Sequence, residues 1–215
     1  MPRRLLNSDP RPGPGRRDIV IARALLAVVG LVCASCVLAA TTAFDLGALT
    51  SLLARMKSGE ATFVEKRRVE MLDRTLESSG RLSFRAPDSF VRETLKPRRE
   101  KLVVDGNSLT MSIGERSRTM ALDASPEASV IVEALRGTLT GNRATLERLF
   151  ETRVSGSVEQ WSLELVPRDL RLRGQVASVR VSGRDSMARE VQVLLADGDR
   201  STMTIEPVAG ARAAP

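Results

Sequence analysis

This chain of 215 residues predicts a mainly β fold of the α+β class. The expected form is one antiparallel sheet, strongly curved around its core, with short helices against the concave face. Three observations carry this. Apolar residues alternate with a period near two over 60–122 and again over 151–206. Tight turns containing glycine separate the segments, and such turns join antiparallel neighbours, because parallel strands need long crossovers. Helical signals are confined to the stretch before the first strand block and the stretch between the two blocks. No Pro/Gly/Ser-rich linker interrupts the middle, so one domain is expected.

Residues 1–43 read as an export signal. Ala24 to Ala40 is an apolar run preceded by Arg16, Arg17 and Arg23 and followed by small residues. Cleavage after Ala43 is one reading of this segment. Retention as an anchor is a second, since the run is only slightly short of the roughly 20 residues that span a bilayer. Lipidation at Cys36, with Ala34 and Ser35 before it, is a third. The start codon is open as well, because the residues before about 20 are long for a signal.

The domain is expected over 44–206. Asp45 can cap a helix running over 45–58, with Leu46, Leu49, Leu53 and Met56 on one stripe and Gly59 at its end. Phe63 starts the first strand segment. Leu82 and Phe84 share a face in the next, and Phe90, Arg92 and Thr94 share one after that. Leu102 and Val104 lead into the turn Asp105-Gly106-Asn107. Leu109, Met111 and Ile113 follow, then Gly114-Glu115, then Met120 and Leu122. Ser125-Pro126-Glu127 opens a second helix through Val130, Ile131, Ala134 and Leu135, with Gly137 past its end. A third starts at Asn142 and carries Leu146, Leu149 and Phe150. The second strand block holds Trp161, Leu163 and Leu165 up to Pro167, then Val179 and Val181, then Val191, Val193 and Leu195. Asp197-Gly198-Asp199 turns the chain into Met203 and Ile205. Residues 207–215 are small and unpatterned and are expected to form a disordered tail.

Composition removes several functions. The formal charge is +7, but six of the 33 Lys and Arg residues and only two of the 26 Asp and Glu residues lie in 1–43. The remainder carries only +3, with Arg and Glu interspersed and few aromatics, so nucleic-acid binding has no footprint. The chain has no His and no Tyr, and both cysteines, Cys33 and Cys36, fall in the export segment. A domain freed of that segment has no thiolate, and His-based catalysis and His-containing zinc sites are excluded throughout. There is no phosphate loop and no dinucleotide fingerprint. The serines of Ser78-Ser79-Gly80 and Ser155-Gly156-Ser157 lack a base and read as turns. No catalytic residue, metal or cofactor is expected, and the domain reads as non-enzymatic.

Five short pieces then stand in register: Ala61-Thr62-Phe63-Val64-Glu65-Lys66, Ser79-Gly80-Arg81-Leu82-Ser83-Phe84, Pro87-Asp88-Ser89-Phe90, Thr94-Leu95-Lys96-Pro97 and Leu102-Val103-Val104-Asp105-Gly106-Asn107-Ser108-Leu109. In order and spacing they resemble the N-terminal half of the periplasmic lipoprotein carrier family, the LolA-like proteins. After residue 120 the likeness is one of architecture. The resemblance implies an unclosed antiparallel β-barrel whose short helices form a lid over an apolar cavity. It also implies a carrier that takes acyl chains of lipoproteins, or another lipidic cargo, from an inner-membrane release complex or exporter to an outer-membrane acceptor. The implied setting is the periplasm and the implied form a monomer. Each buried CH₂ is worth about 0.8 kcal/mol, so a lipid crosses water only inside such a cavity.

On that resemblance the cargo-facing set is Phe63, Leu82, Phe84, Phe90, Met111, Met120, Trp161 and Leu163 on the strands, with Val130, Ile131 and Leu135 on the underside of the lid. For Phe90, Met111, Met120, Trp161 and Leu163, plain core packing fits the same alternation. The family holds its lid with an arginine directly before the proline of the third piece. Here that position is Ala86, which leaves Arg85 or Arg92 as the lid contact, and a one-residue shift in a strand reverses the face. The family's aromatic-rich cavity is also thinned here, which suits a specialised lipid cargo as well as a general one. An anchored acceptor or envelope-stress sensor on the same scaffold, binding a protein partner, is the alternative.

Overall fold

The computed structural model describes residues 44–72 and 74–208. The export-signal reading of 1–43 lies outside the described residues, as does the expected 207–215 tail beyond Val208; Pro207 ends the last strand and the Val208 N–H donates to the Glu60 carbonyl oxygen at 3.0 Å.

Eleven strands form a single antiparallel sheet that does not close. They are β1 Ser58–Val69, β2 Arg74–Arg85, β3 Ser89–Lys96, β4 Glu100–Asp105, β5 Ser108–Ile113, β6 Arg116–Ala121, β7 Phe150–Gly156, β8 Trp161–Pro167, β9 Val176–Arg184, β10 Met187–Leu195 and β11 Arg200–Pro207. Their spatial order is β6-β5-β4-β3-β2-β1-β11-β10-β9-β8-β7. Every neighbour is joined by a hairpin or a short connection except β1 and β11, which zip the two blocks together from Ala61 opposite Pro207 to Arg68 opposite Arg200. The open edges are therefore β6 and β7, and the helical segment between the two blocks links them.

The glycine turns between strands form as local chemistry dictates, but Ser78-Ser79-Gly80 is not a turn: it lies within β2, paired with β1 and β3. Gly106, Gly114 and Gly198 each take a positive φ, at 54°, 59° and 97°, where only glycine avoids strain. The β1–β2 hairpin is longer than alternation suggests, twelve residues in each strand, because its far end is mostly charged and polar, and Val69 and Leu76 alone give no apolar rhythm to read.

Among the described residues, four short α-helices accompany the sheet: α1 Leu46–Leu53, α2 Pro126–Leu139, α3 Arg143–Leu149 and α4 Leu170–Arg173. Asp45 caps α1 by accepting from the Ala48 N–H at 2.8 Å, as expected. The helix ends at Leu53, short of Gly59, because the sheet claims Ser58 and Gly59 as the first residues of β1, opposite Arg85 and Phe84. By contrast α2 runs through Gly137 to Leu139. That glycine is a packing device, since a Cβ there would stand 2.6 Å from Leu146 Cδ2. Asn142 starts α3 by accepting from the Thr145 N–H at 3.0 Å. The single turn α4 has no sequence-level expectation behind it; Asp169 caps it by accepting from the Arg171 and Leu172 N–H groups.

Two clusters of buried side chains anchor the helices. The larger joins Leu46, Leu49 and Leu53 of α1, Val130 and Ala134 of α2 and Leu146 of α3 to the inner faces of β7–β10, including Trp161, Leu163 and Leu165. A smaller one joins Val132 of α2 and Leu122 to Val104 and Leu109. Full burial of each Leu or Val contributes about 1.5–3 kcal/mol, so the larger cluster fixes the helices on the second block. Helix α2 thereby bridges from one side of the curved sheet to the other.

Candidate functional site

Between those two clusters the underside of α2 stands off the sheet. Ile131, Leu135 and Leu139 follow one another at the helical repeat of four and face a cavity of about 410 Å³. Its floor is the concave face: Ala61 of β1, Leu82 and Phe84 of β2, Phe90 of β3, Leu102 and Val104 of β4, and Val191, Val193, Met203 and Ile205 of the second block. The volume falls in the range of pockets that enclose one small apolar ligand. Small residues make the space: Gly59 and Ala61 at the start of β1 present almost no side chain where their neighbours present phenyl rings. The rings of Phe84 and Phe90 meet at 5.1 Å between centroids and form one wall.

The cavity is not uniformly greasy. Glu65 of β1 and Arg92 of β3 also line it, and they form an ion pair across the intervening strand β2. Glu65 accepts further hydrogen bonds from the hydroxyls of Ser78, at 3.2 Å, and Ser201. Burial alone would push the Glu65 carboxyl up. The charge of Arg92 and the hydrogen bonds from Ser201, Arg92 and Ser78 outweigh that and hold it below its ordinary value. The Arg92 guanidinium lies 4.8 Å from the centroid of Phe63, in cation–π contact. Next along β1, Arg67 pairs with Asp199 at 3.0 Å. Asp199 also accepts from the Glu70 N–H, and this bond, together with Arg67, holds its carboxyl below the usual range.

The residues singled out from the sequence divide among different environments. Leu82, Phe84, Phe90, Ile131 and Leu135 come together around the cavity. Phe63 is on the same face but almost fully buried, with Arg92 over its ring. Val130, Trp161 and Leu163 sit in the larger core cluster, where the Trp161 indole N–H donates to the Asp185 carbonyl oxygen at 2.8 Å. Met120 packs against the smaller cluster. Met111 is 42% exposed, further out on the concave face. Arg85 is exposed on the convex face, one position out of phase with Leu82 and Phe84, so it points away from the helices. Arg92 is on the concave face and spends its ion pair on Glu65 of β1 rather than on a helix.

Sequence reasoning missed several participants. A polar contact between α2 and the first strand block is made by Arg136, whose Nη2 donates to the Gly106 carbonyl oxygen at 2.7 Å, with Glu133 holding the same guanidinium. Nothing in the local pattern marks Arg136, since its partner is a backbone atom 30 residues away. Glu65 was more accessible: it lies two residues after Phe63 and so shares its face. Leu102, Val104, Val191, Val193, Met203 and Ile205 alternate visibly, but alternation does not separate cavity from core.

A family model described as outer membrane lipoprotein carrier protein LolA-like matches residues 38–214. No curated protein matches the chain in sequence. Among solved structures the chain is similar to the LolA superfamily protein NE2245 from Nitrosomonas europaea, at 11% identity over 78% of this chain and 91% of that one, with a TM-score of 0.41. It is also similar to a chain in the MucA/MucB complex of Pseudomonas aeruginosa, at 18% identity over 79% and 59%, with a TM-score of 0.43. A third similar structure is LprF from Mycobacterium bovis, at 8% identity over 79% and 94%, with a TM-score of 0.36.

Proposed function

Because this chain belongs to the outer membrane lipoprotein carrier LolA-like family, we propose that it is a carrier that encloses acyl chains of a lipoprotein or another lipidic cargo in the cavity beneath α2. The family's members are non-enzymatic carriers. The observation that supports this reading best is the cavity itself. An apolar space of about 410 Å³ between two well-packed clusters is costly for a domain to leave unfilled, and cargo with hydrocarbon chains would recover that loss. Release needs no covalent step, because α2 covers the cavity as an element outside the sheet and takes no part in strand pairing.

In this reading the protein works in the periplasm, taking cargo from an inner-membrane exporter or release complex and passing it to an outer-membrane acceptor. Leu82, Phe84 and Phe90 are the proposed cargo contacts on the sheet, and Ile131 and Leu135 those on the lid. The test is to purify the protein, extract bound lipid and identify it by mass spectrometry, then titrate the stripped protein with a fluorescent fatty acid. Co-purifying lipid and saturable uptake are expected. A protein that is reproducibly empty and takes up no probe sinks the carrier reading.

A further inference from the structure

The cavity does not end where the helices end. In an antiparallel sheet, residues directly opposite one another point to the same face, and the registers give one unbroken row across β2 to β6: Leu82, Arg92, Leu102, Met111, Arg118. The first three line the cavity. Met111 continues the row outward, 42% exposed, and Arg118 ends it at the open edge. In the next row Ile113, 36% exposed, stands opposite Arg116 in the same way. An apolar strip thus leaves the cavity over Leu102 and reaches a pair of arginines.

Those arginines differ from the charged groups inside. Arg92 is neutralised by Glu65, Arg67 by Asp199, and Glu100 in the Ile113 row by Arg98 at 2.7 Å. Arg116 and Arg118 are exposed and have no hydrogen-bond or ion-pair partner among the described residues. The apolar strip therefore ends in two uncompensated positive charges.

We infer that this strip is the exit track of the cargo site: Met111 and Ile113 support the part of the molecule that emerges from the cavity, and Arg116 and Arg118 hold an anionic head group. The cargo class this selects is an amphiphile with a hydrocarbon chain and a carboxylate or phosphate near its polar end. The inference rests on the carrier reading and narrows it.

The test compares two probes with the same hydrocarbon chain, a fluorescent fatty acid with a charged carboxylate and its uncharged methyl ester, each below its aggregation limit. They are titrated into the purified protein and into the Arg116→Ser/Arg118→Ser double variant. The unaltered protein should bind the carboxylate about fivefold to tenfold more tightly than the ester, the effect of two exposed ion pairs. The preference should fade with added salt. The variant should bind both probes alike, with its ester affinity unchanged. Equal affinities in the unaltered protein, or a preference that survives in the variant, overturn the exit track while leaving the carrier reading intact. Failure to bind either probe removes both. Binding to vesicles of anionic phospholipid that depends on the arginines, without any preference between the probes, assigns them to a membrane surface and likewise overturns the inference.

Discussion

Arg136 on the helix that covers the cavity and Gly106 in the β4–β5 turn are tied by a hydrogen bond of 2.7 Å from guanidinium Nη2 to backbone carbonyl. The bond runs from lid to sheet, the reverse of a strand arginine reaching up to a helix. It gives α2 a polar tether at the first strand block, where its apolar support is the smaller of the two clusters. Arg136→Met keeps most of the stem and removes the donor. The expected loss of stability is about 1–2 kcal/mol, with faster release of a bound fatty-acid probe in stopped-flow fluorescence. Unchanged release would separate the tether from lid movement.

Filling the cavity should weaken uptake without unfolding the domain. Ala61 lies on its floor, opposite Leu82 and Pro207, and phenylalanine favours a strand. Ala61→Phe should weaken fatty-acid binding at least about tenfold, equivalent to about 1.4 kcal/mol. Its urea midpoint should stay close to that of the unaltered protein. Binding titrations and urea melts on the same preparation check both halves.

Glu65 makes stability depend on pH in a definite direction. Its carboxyl is held below its ordinary value of 4.5 in the folded state, so its contribution is complete above that value and is lost as the pH falls through the lower folded one. Glu65→Gln should be less stable than the unaltered protein by about 1–3 kcal/mol at neutral pH. The gap should narrow as the pH falls below 4.5. Paired denaturation curves at pH 7 and in the acid range read this directly, and a gap independent of pH would show that the charge of Glu65 is irrelevant.

Gly183 allows Trp161 to pack. A Cβ at Gly183 would stand 2.4 Å from Trp161 Cζ2 and 2.3 Å from the Met187 carbonyl oxygen, and the backbone cannot yield without disturbing the β9–β10 hairpin. Gly183→Ala should cost about 1–3 kcal/mol and red-shift the emission of Trp161 by letting water reach the ring. Since Trp161 is the sole tryptophan of the chain, intrinsic fluorescence reports this site alone.

The local elements and their antiparallel order are written in the residue pattern, because each follows from contacts a few residues apart. Period two sets the faces of Leu82 with Phe84 and of Trp161 with Leu163, Asp45 and Asn142 cap their helices, and glycine at 106, 114 and 198 turns the strands. What those faces meet depends on packing between elements far apart in the chain. Leu82 and Leu163 have the same alternating context, yet Leu163 is sealed under the helices of the larger cluster and Leu82 opens onto a cavity. The difference arises because α2 is held at both flanks, by Val130 with Ala134 on one side and by Val132 on the other, while Ile131 and Leu135, packed against the edge of the larger cluster, also border a cavity whose floor is thinned at Gly59 and Ala61. Such a gap is the sum of side-chain volumes from elements far apart in the chain, and no local period encodes it. The same reason hid Arg136 and its backbone partner, and hid the row that carries an apolar strip out to Arg116 and Arg118, which exists only once five strands are in register.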